Sequence, residues 1–353
     1  MQERKRNQAK VTFAARSVVA NDLTRVLPLA DAPAIGDVVL VEVLSLGKHS
    51  TIETHDGITL NIFPGVQLIT VFGNRYATDQ YEGYVPQQVV EECDLLSVGG
   101  VCGEVVSAHD TMAVPTRLRV LGRFVDDLDR TINVRNFGLR PQASLPHGEV
   151  ILVVGSSMNA GKTTTVGTLC RSLSQTGFQV AAAKVTGTAA GKDLRYFESC
   201  GASPVLDFTL GGYPSTYMLD EQDLLDLYMR LLSHLRASQP DYIVLEVADG
   251  ILQRETAMLL AMPEFRATID HVVFAASDSL GMAYGVQMLR EAGWPLRATG
   301  GLITRSPLAV REAEAVIQLP CLSLKRMMSA ELIACFSAPD VAGEPLLALQ
   351  RAA

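Results

Sequence analysis

Ten consecutive residues, Gly155-Ser156-Ser157-Met158-Asn159-Ala160-Gly161-Lys162-Thr163-Thr164, have the composition needed to hold polyphosphate. Phosphates ask for many backbone N–H donors converging on one point. A loop of small residues that opens a helix supplies those donors together with the positive end of the helix dipole. Lys162 adds a mobile positive charge for the β- and γ-phosphates, and Thr163 offers a hydroxyl to Mg2+. Gly155 and Gly161 enclose five residues where the usual pattern has four, and Ser156 stands where its first glycine is usual; a small residue still fits. A glycine-rich turn carrying an ordinary lysine is the alternative. Against it, the apolar run Val150-Ile151-Leu152-Val153-Val154 leads straight into the loop, and Leu169 and Leu173 share one face of the helix that follows.

Further charged residues sit where strands should end, which in parallel α/β folds is where ligands bind. Lys184 closes an apolar run and precedes Val185-Thr186-Gly187-Thr188 and Gly191-Lys192-Asp193. It could hold a phosphate or a substrate carboxylate, with Asp193 helping to hold magnesium, or it could simply be the charge that closes a strand. Asp241-Tyr242-Ile243-Val244-Leu245-Glu246-Val247-Ala248-Asp249-Gly250 is an apolar strand ending in acids, as a magnesium-organising Walker B segment requires. Glu246, directly off the apolar run, is the better metal or water-positioning candidate; Asp249 is the second, and an acid there can instead cap a helix. Asp278, amid Ser277, Ser279 and Gly281, is either a γ-phosphate sensor or an N-cap.

Outside this set, Phe72 to Pro86 is dense in aromatics and hydrogen-bonding groups and reads as a loop. Its Arg75 either holds a substrate anion across a domain cleft or only packs and pairs. Val98-Gly99-Gly100-Val101-Cys102-Gly103 lacks a following lysine and reads as a tight β turn, and Cys102 has no nearby histidine but His109 to make it a nucleophile.

The elements that must position these residues differ between the two halves. From Val11 to Arg140 short apolar bursts alternate with turn residues: Val38–Val43, Thr51–Thr54, an Asp56-Gly57 hairpin turn, Ile58–Ile62, Gln67–Val71, Gly103–Val106 and Leu118–Gly122. That spacing suits a small barrel or sandwich. After Gly148, strands alternate with amphipathic stretches, the pattern of a parallel sheet with crossover helices. The candidate strands are Val150–Val154, Gln179–Lys184, Tyr242–Glu246, His271–Ala275, Gly301–Ile303 and Val316–Leu319, and Asp220–Arg236 is a candidate helix. The expected fold is therefore α/β: a P-loop domain over 149–353 with a mainly parallel sheet flanked by helices, preceded by a smaller mainly-β domain over 1–140 and a Pro/Gly-rich linker over 141–148.

A chain of 353 residues has room for two domains of ordinary size. Its composition, 48% hydrophobic and 19% charged, is globular, and no uninterrupted apolar run reaches the roughly 18 residues a membrane span needs. Met1 to Arg6 is charged without the apolar segment of a secretory signal, so a cytoplasmic protein is expected. Arg4-Lys5-Arg6 reads as a solvated tail. The net charge of −8 leaves no basic domain to grip nucleic acid. Six cysteines without a C-x-x-C pair suggest reduced, mostly buried thiols.

In the order of its motifs, the stretch from about 149 to 325 resembles the dethiobiotin synthetase and cobyrinic acid synthase group of P-loop proteins. The resemblance is carried by the five-residue spacer before Gly161-Lys162-Thr163, by Lys184 ending the second strand, and by Glu246 with Gly250 after a later strand. Gly301-Leu302-Ile303-Thr304-Arg305 looks like the strand where these relatives carry a base-reading asparagine; Thr304 holds that place here, so adenine recognition by a carried-over asparagine does not follow. Ser156 and Ser157 stand where nucleotide switches of the group carry an extra lysine, which speaks against that subclass. Similarity to molybdopterin-guanine dinucleotide accessory proteins is weaker.

The resemblance implies ATP-dependent (GTP possible), Mg2+-dependent activation of a small carboxylate, carbamate or hydroxyl by a ligase or kinase. Lys162 would stabilise the transferring phosphoryl, Thr163, Asp193 and Glu246 would hold magnesium, and Lys184 would neutralise the acceptor. The nucleotide would lie on Gly155, Ser156, Ser157, Met158, Asn159, Ala160, Gly161, Lys162, Thr163 and Thr164, with Thr304 near the base. Together with a small-molecule substrate, a homodimer is what the family resemblance alone implies as partner. The alternative is an NTPase switch or metallocentre-assembly accessory protein acting through a partner protein; a nucleotide-binding regulator without hydrolysis is a third, weaker reading.

Overall fold

The structure, a computed structural model, describes residues 9–18, 22–143 and 147–337. The basic cluster Arg4-Lys5-Arg6 and residues 144–146 of the expected linker lie outside them. The described residues form two compact units. The first takes in the described residues of Met1–Arg140 with Gly187–Lys192 and Asp207–Leu219; the second takes in those of Pro141–Thr186, Asp193–Leu206 and Asp220–Ala353.

In the first unit ten strands follow one another: β1 (Lys10–Val11), β2 (Arg25–Leu27), β3 (Val38–Ser45), β4 (Thr51–Glu53), β5 (Thr59–Asn61), β6 (Gln67–Phe72), β7 (Tyr81–Tyr84), β8 (Glu92–Leu95), β9 (Val101–Ala108) and β10 (Thr116–Val125). The pairings β6–β3–β10–β8–β9 return to β6, closing a five-stranded barrel. Closure leaves these five strands no open edge, and the alternating residues Val39, Val41, Val43, Cys93, Leu95 and Cys102 fill the interior with Phe72 and Leu118. The Asp56-Gly57 turn joins β4 to β5 as an antiparallel hairpin.

Phe72 to Pro86 is not all loop, because β7 pairs antiparallel with β9. Its inward positions are Tyr81 and Gly83, and a Cβ on Gly83 would come within 2.9 Å of Leu96, so the strand lacks the apolar alternation that announces one. The Gly99-Gly100 turn links β8 to β9 as read, with Gly100 at φ +88° and its N–H donated to Ser97 O. Cys102 is wholly buried, with its Sγ 3.4 Å from Thr70 Oγ1. Cys93, Cys170, Cys200 and Cys321 are buried as well, and Cys335 is half-buried.

Arg75 is buried and donates to Gln80 Oε1 at 2.6 Å. Its Nη1 lies 3.5 Å from His49 Nε2, which faces Leu96 O at 3.2 Å. Burial first, then the Arg75 charge, push the His49 pKa down to about 4. The unfolded chain therefore binds a proton that the folded chain refuses, and stability falls as pH drops through the window from 6.5 to about 4. In urea unfolding across that window, the native protein should lose on the order of 3 kcal/mol more than His49→Gln. Equal losses would remove His49 as the cause.

The second unit is a parallel α/β sheet. Its strands are β11 (Glu149–Gly155), β12 (Val180–Lys184), β13 (Val205–Asp207, whose last residue belongs to the first unit), β14 (Tyr242–Glu246), β15 (His271–Ala275) and β16 (Leu296–Gly300), in the order β13-β12-β14-β11-β15-β16. The pairings β12–β14, β14–β11, β11–β15 and β15–β16 are parallel. The connections between strands carry the helices α1 (Lys162–Gln175), α2 (Lys192–Ser199), α3 (Glu221–Ala237), α4 (Arg254–Ala261), α5 (Pro263–Arg266) and α6 (Ser279–Glu291), and α7 (Pro307–Ile317), α8 (Leu324–Met327) and α9 (Ala330–Ser337) follow β16. α3 is capped by Asp220, whose side chain accepts from Asp223 N, and buries Leu224, Leu227, Leu231 and Leu235 at helical spacing. One core, with Ile151 and Val153 of β11 among Val166, Leu169 and Leu173 of α1, fixes the loop between them. Among the described residues no helix is long and apolar enough to cross a membrane.

Two expected strands are corrected. Gly301–Ile303 lies beyond a strand: β16 ends at Gly300, and Leu302–Arg305 is a turn of 3-10 helix. Gly301, at φ +95° and ψ −161°, breaks the extended path. Val316–Leu319 straddles the end of α7, where Gln318 takes a left-handed φ of 52° and closes the helix.

Candidate functional site

Three strands meet around the small-residue loop. β11 delivers Gly155, the loop turns through Asn159 (φ 63°) and Gly161 (φ 100°), and α1 starts at Lys162. Left-handed backbone at two positions turns the loop sharply into the helix, the kind of turn in which backbone N–H groups can line a concavity. A Cβ on Gly155 would lie 2.7 Å from Ala275 O and 3.1 Å from Lys162 Cγ, so glycine is what lets the lysine stem pass over it. Lys162 is 5% exposed and its Nζ donates to Ser157 O at 2.8 Å. Burial pushes its pKa down to about 8, with Glu246 and Asp249 pulling the other way.

Neighbouring segments brace the loop. Ile251 N donates to Gly155 O at 2.9 Å, and a Cβ on Gly250 would lie 2.5 Å from Ser156 O, so the chain after β14 lies tight on the loop. From the other side Leu302 N donates to Ala160 O at 3.0 Å and Ile303 N to Ala276 O at 3.1 Å. The loop is a P-loop.

Glu246 ends β14 and is 2% exposed. Its Oε1 accepts from Thr163 Oγ1 at 3.1 Å, while its buried Oε2 has no hydrogen-bond partner among the described residues. The buried Oγ of Ser156 is likewise without one. Buried polar atoms of folded proteins are nearly always paired, so this orphaned carboxylate oxygen beside a P-loop threonine fits Mg2+ with its hard oxygen ligands. Lys184, the register partner of Glu246 across β12 and β14, places its Nζ 3.5 Å from Glu246 Oε1 and pairs directly with Asp193 at the start of α2. Burial alone would lower the Lys184 pKa; Glu246 and Asp193 outweigh it and hold the ammonium above the usual lysine value.

Asp249 is strained, at φ 61°, and burial raises its pKa against the pull of Lys162 and Lys184. Asp278 is an N-cap, accepting from Gly281 N at 2.8 Å at the start of α6. Thr304 donates its hydroxyl to Gly301 O at 2.8 Å inside the turn that braces Ala160. Thr186 and Thr256 escape sequence reasoning: their hydroxyls hold Ala248 by its N–H at 2.8 Å and its carbonyl at 2.9 Å. Neither stands at a motif spacing; only the fold brings them to the chain between Glu246 and Asp249.

No protein-family model matches the chain, and no curated protein sequence does. Solved structures do match. The signal recognition particle receptor FtsY from Elizabethkingia anophelis is 17% identical with a TM-score of 0.36, over 59% of this chain and 75% of that one. Its complex with GDP is 18% identical over the same shares, also at 0.36. The kinase domain of the Escherichia coli tyrosine kinase ETK is 14% identical with a TM-score of 0.33, over 43% of this chain and 66% of that one.

Proposed function

We propose that this chain is a magnesium- and nucleoside-triphosphate-dependent enzyme that transfers the γ-phosphoryl group to a small-molecule carboxylate, carbamate or hydroxyl. ATP is the expected nucleotide and GTP the alternative. The observation that carries the reading is the second lysine. Holding phosphates needs Lys162 and the loop; a further ammonium, Lys184, stands 3.5 Å from the Walker B acid on the adjacent strand. A cation placed there suits charge that develops between the transferred phosphoryl and an acceptor oxygen.

Lys162 would hold the β- and γ-phosphates, and the N-terminus of α1 would take the remaining negative charge. Thr163 and Glu246 would hold Mg2+, which supplies charge neutralisation and orientation of the transferred group. Lys184 would steady the acceptor oxygen as it attacks. Asp193 holds Lys184 from the α2 side. The likeness to the dethiobiotin synthetase and cobyrinic acid synthase group supports an acceptor whose activated form is then attacked by a nitrogen nucleophile or water.

The test is γ-labelled ATP and GTP with Mg2+ and a panel of small carboxylates, amines with bicarbonate, and alcohols, with hydroxylamine present to trap acyl phosphates. One acceptor should raise nucleotide turnover and receive label in equal amount. Turnover that no small molecule stimulates but a partner protein does would replace this reading with a nucleotide switch.

A further inference from the structure

The Lys184 ammonium stands where a metal ion is wanted. Parallel strands β12 and β14 set Lys184 beside Glu246 in register, and Nζ lies 3.5 Å from the same Oε1 that Thr163 Oγ1 reaches at 3.1 Å. On its other side the ammonium is paired with Asp193. The three charges sum to one negative, and among the described residues one buried oxygen of Glu246 has no hydrogen-bond partner.

From this arrangement we infer that Lys184 is a placeholder cation: it neutralises Glu246 until magnesium arrives and is then displaced onto Asp193. The inference rests on the reading above only in taking Thr163 and Glu246 as the pair that holds magnesium. Stranding a buried charge is costly, and the exchange strands none. Glu246 passes from ammonium to metal, and Lys184 keeps Asp193 while its other N–H donors turn to the phosphoryl or acceptor oxygen. Asp193 is thus a positioning residue that receives the lysine, and Lys184 is ready for the acceptor only once the metal is seated.

Manganese, titrated without nucleotide and followed by the loss of its free-ion electron paramagnetic resonance signal, tests this directly. Lys184→Met removes the competing cation and should tighten Mn2+ binding about tenfold. Lys184→Arg keeps the charge and should not tighten it. Asp193→Asn takes away the lysine's second holder, leaves it leaning on Glu246, and should weaken Mn2+ binding several-fold. Glu246→Gln should abolish these differences. If Lys184→Met does not fold, Lys184→Gln reads the same quantity. Unchanged or weaker binding in the neutral variants, or tighter binding in Asp193→Asn, overturns the exchange. The titration uses no nucleotide, so failure of the protein to bind a fluorescent nucleotide would sink the phosphoryl-transfer reading while leaving this result standing, and the reverse also holds.

Discussion

Lys162→Ala should cut nucleotide turnover by about two to three orders of magnitude, the usual cost of removing a preorganised group from a transferring phosphoryl. Its stem lies over Gly155 and its ammonium donates to Ser157 O, so on the proposed reading it would meet the γ-phosphate from within the loop. The same variant carries a second signature of opposite sign. Burial has pushed this lysine down to about 8. Its charge is a burden on the empty protein, and alanine should leave the melting temperature unchanged or raise it. Steady-state hydrolysis of ATP and GTP in parallel, beside a melting curve without nucleotide, measures both. Turnover within tenfold of the native protein would remove Lys162 from the chemistry, whereas lost turnover with a lowered melting temperature would mean that the loop had collapsed.

Gly301→Ala is the second large effect, and it touches no ligand. Gly301 adopts φ +95° and ψ −161°, a region essentially reserved for glycine. A Cβ there would lie 2.4 Å from Ala160 O and 2.7 Å from Ala276 O, the two carbonyls that accept the N–H groups of Leu302 and Ile303. Strain and overpacking together should cost on the order of 3 kcal/mol, and nucleotide affinity should fall with it because Ala160 belongs to the P-loop. Gly177 is the control: its φ is also +95°, but nothing lies within 4 Å of its would-be Cβ. Gly177→Ala should cost only about 1 kcal/mol, with nucleotide binding intact. Urea unfolding and a fluorescent-nucleotide titration of both variants decide it. Equal costs would mean that backbone strain alone, and not the brace on Ala160, matters at Gly301.

These residues also mark what a single sequence discloses. The P-loop, β14, β15 and α3 are legible because each is written locally, as small residues ahead of a lysine, as an unbroken apolar run, or as leucines at helical spacing behind an aspartate cap. Gly301 reads as the start of a strand because Gly-Leu-Ile is apolar, whereas the strand itself, Leu296–Gly300, buries Ala298, Thr299 and Gly300 and makes no apolar run. β8 hides its inward Cys93 and Leu95 beside Glu91 and Glu92. The pairing of Lys184 with Glu246 depends on strand order, which sequence spacing does not encode.

The first unit is completed by peptide that comes late in the chain. Gly191 N donates to Glu53 Oε2 at 2.6 Å, Ser97 Oγ to Ala189 O at 3.2 Å, and Arg16 pairs with Asp207 at 2.6 Å. The polypeptide therefore leaves this unit at Arg140, returns for Gly187–Lys192, and returns again for Asp207–Leu219. No single scission yields two whole pieces. A fragment starting at Glu149 would carry away two stretches of the barrel unit's own fabric, and a barrel ending at Arg140 would be left with a torn side. Nor can either half be grafted onto another scaffold by one splice, as beads on a string can.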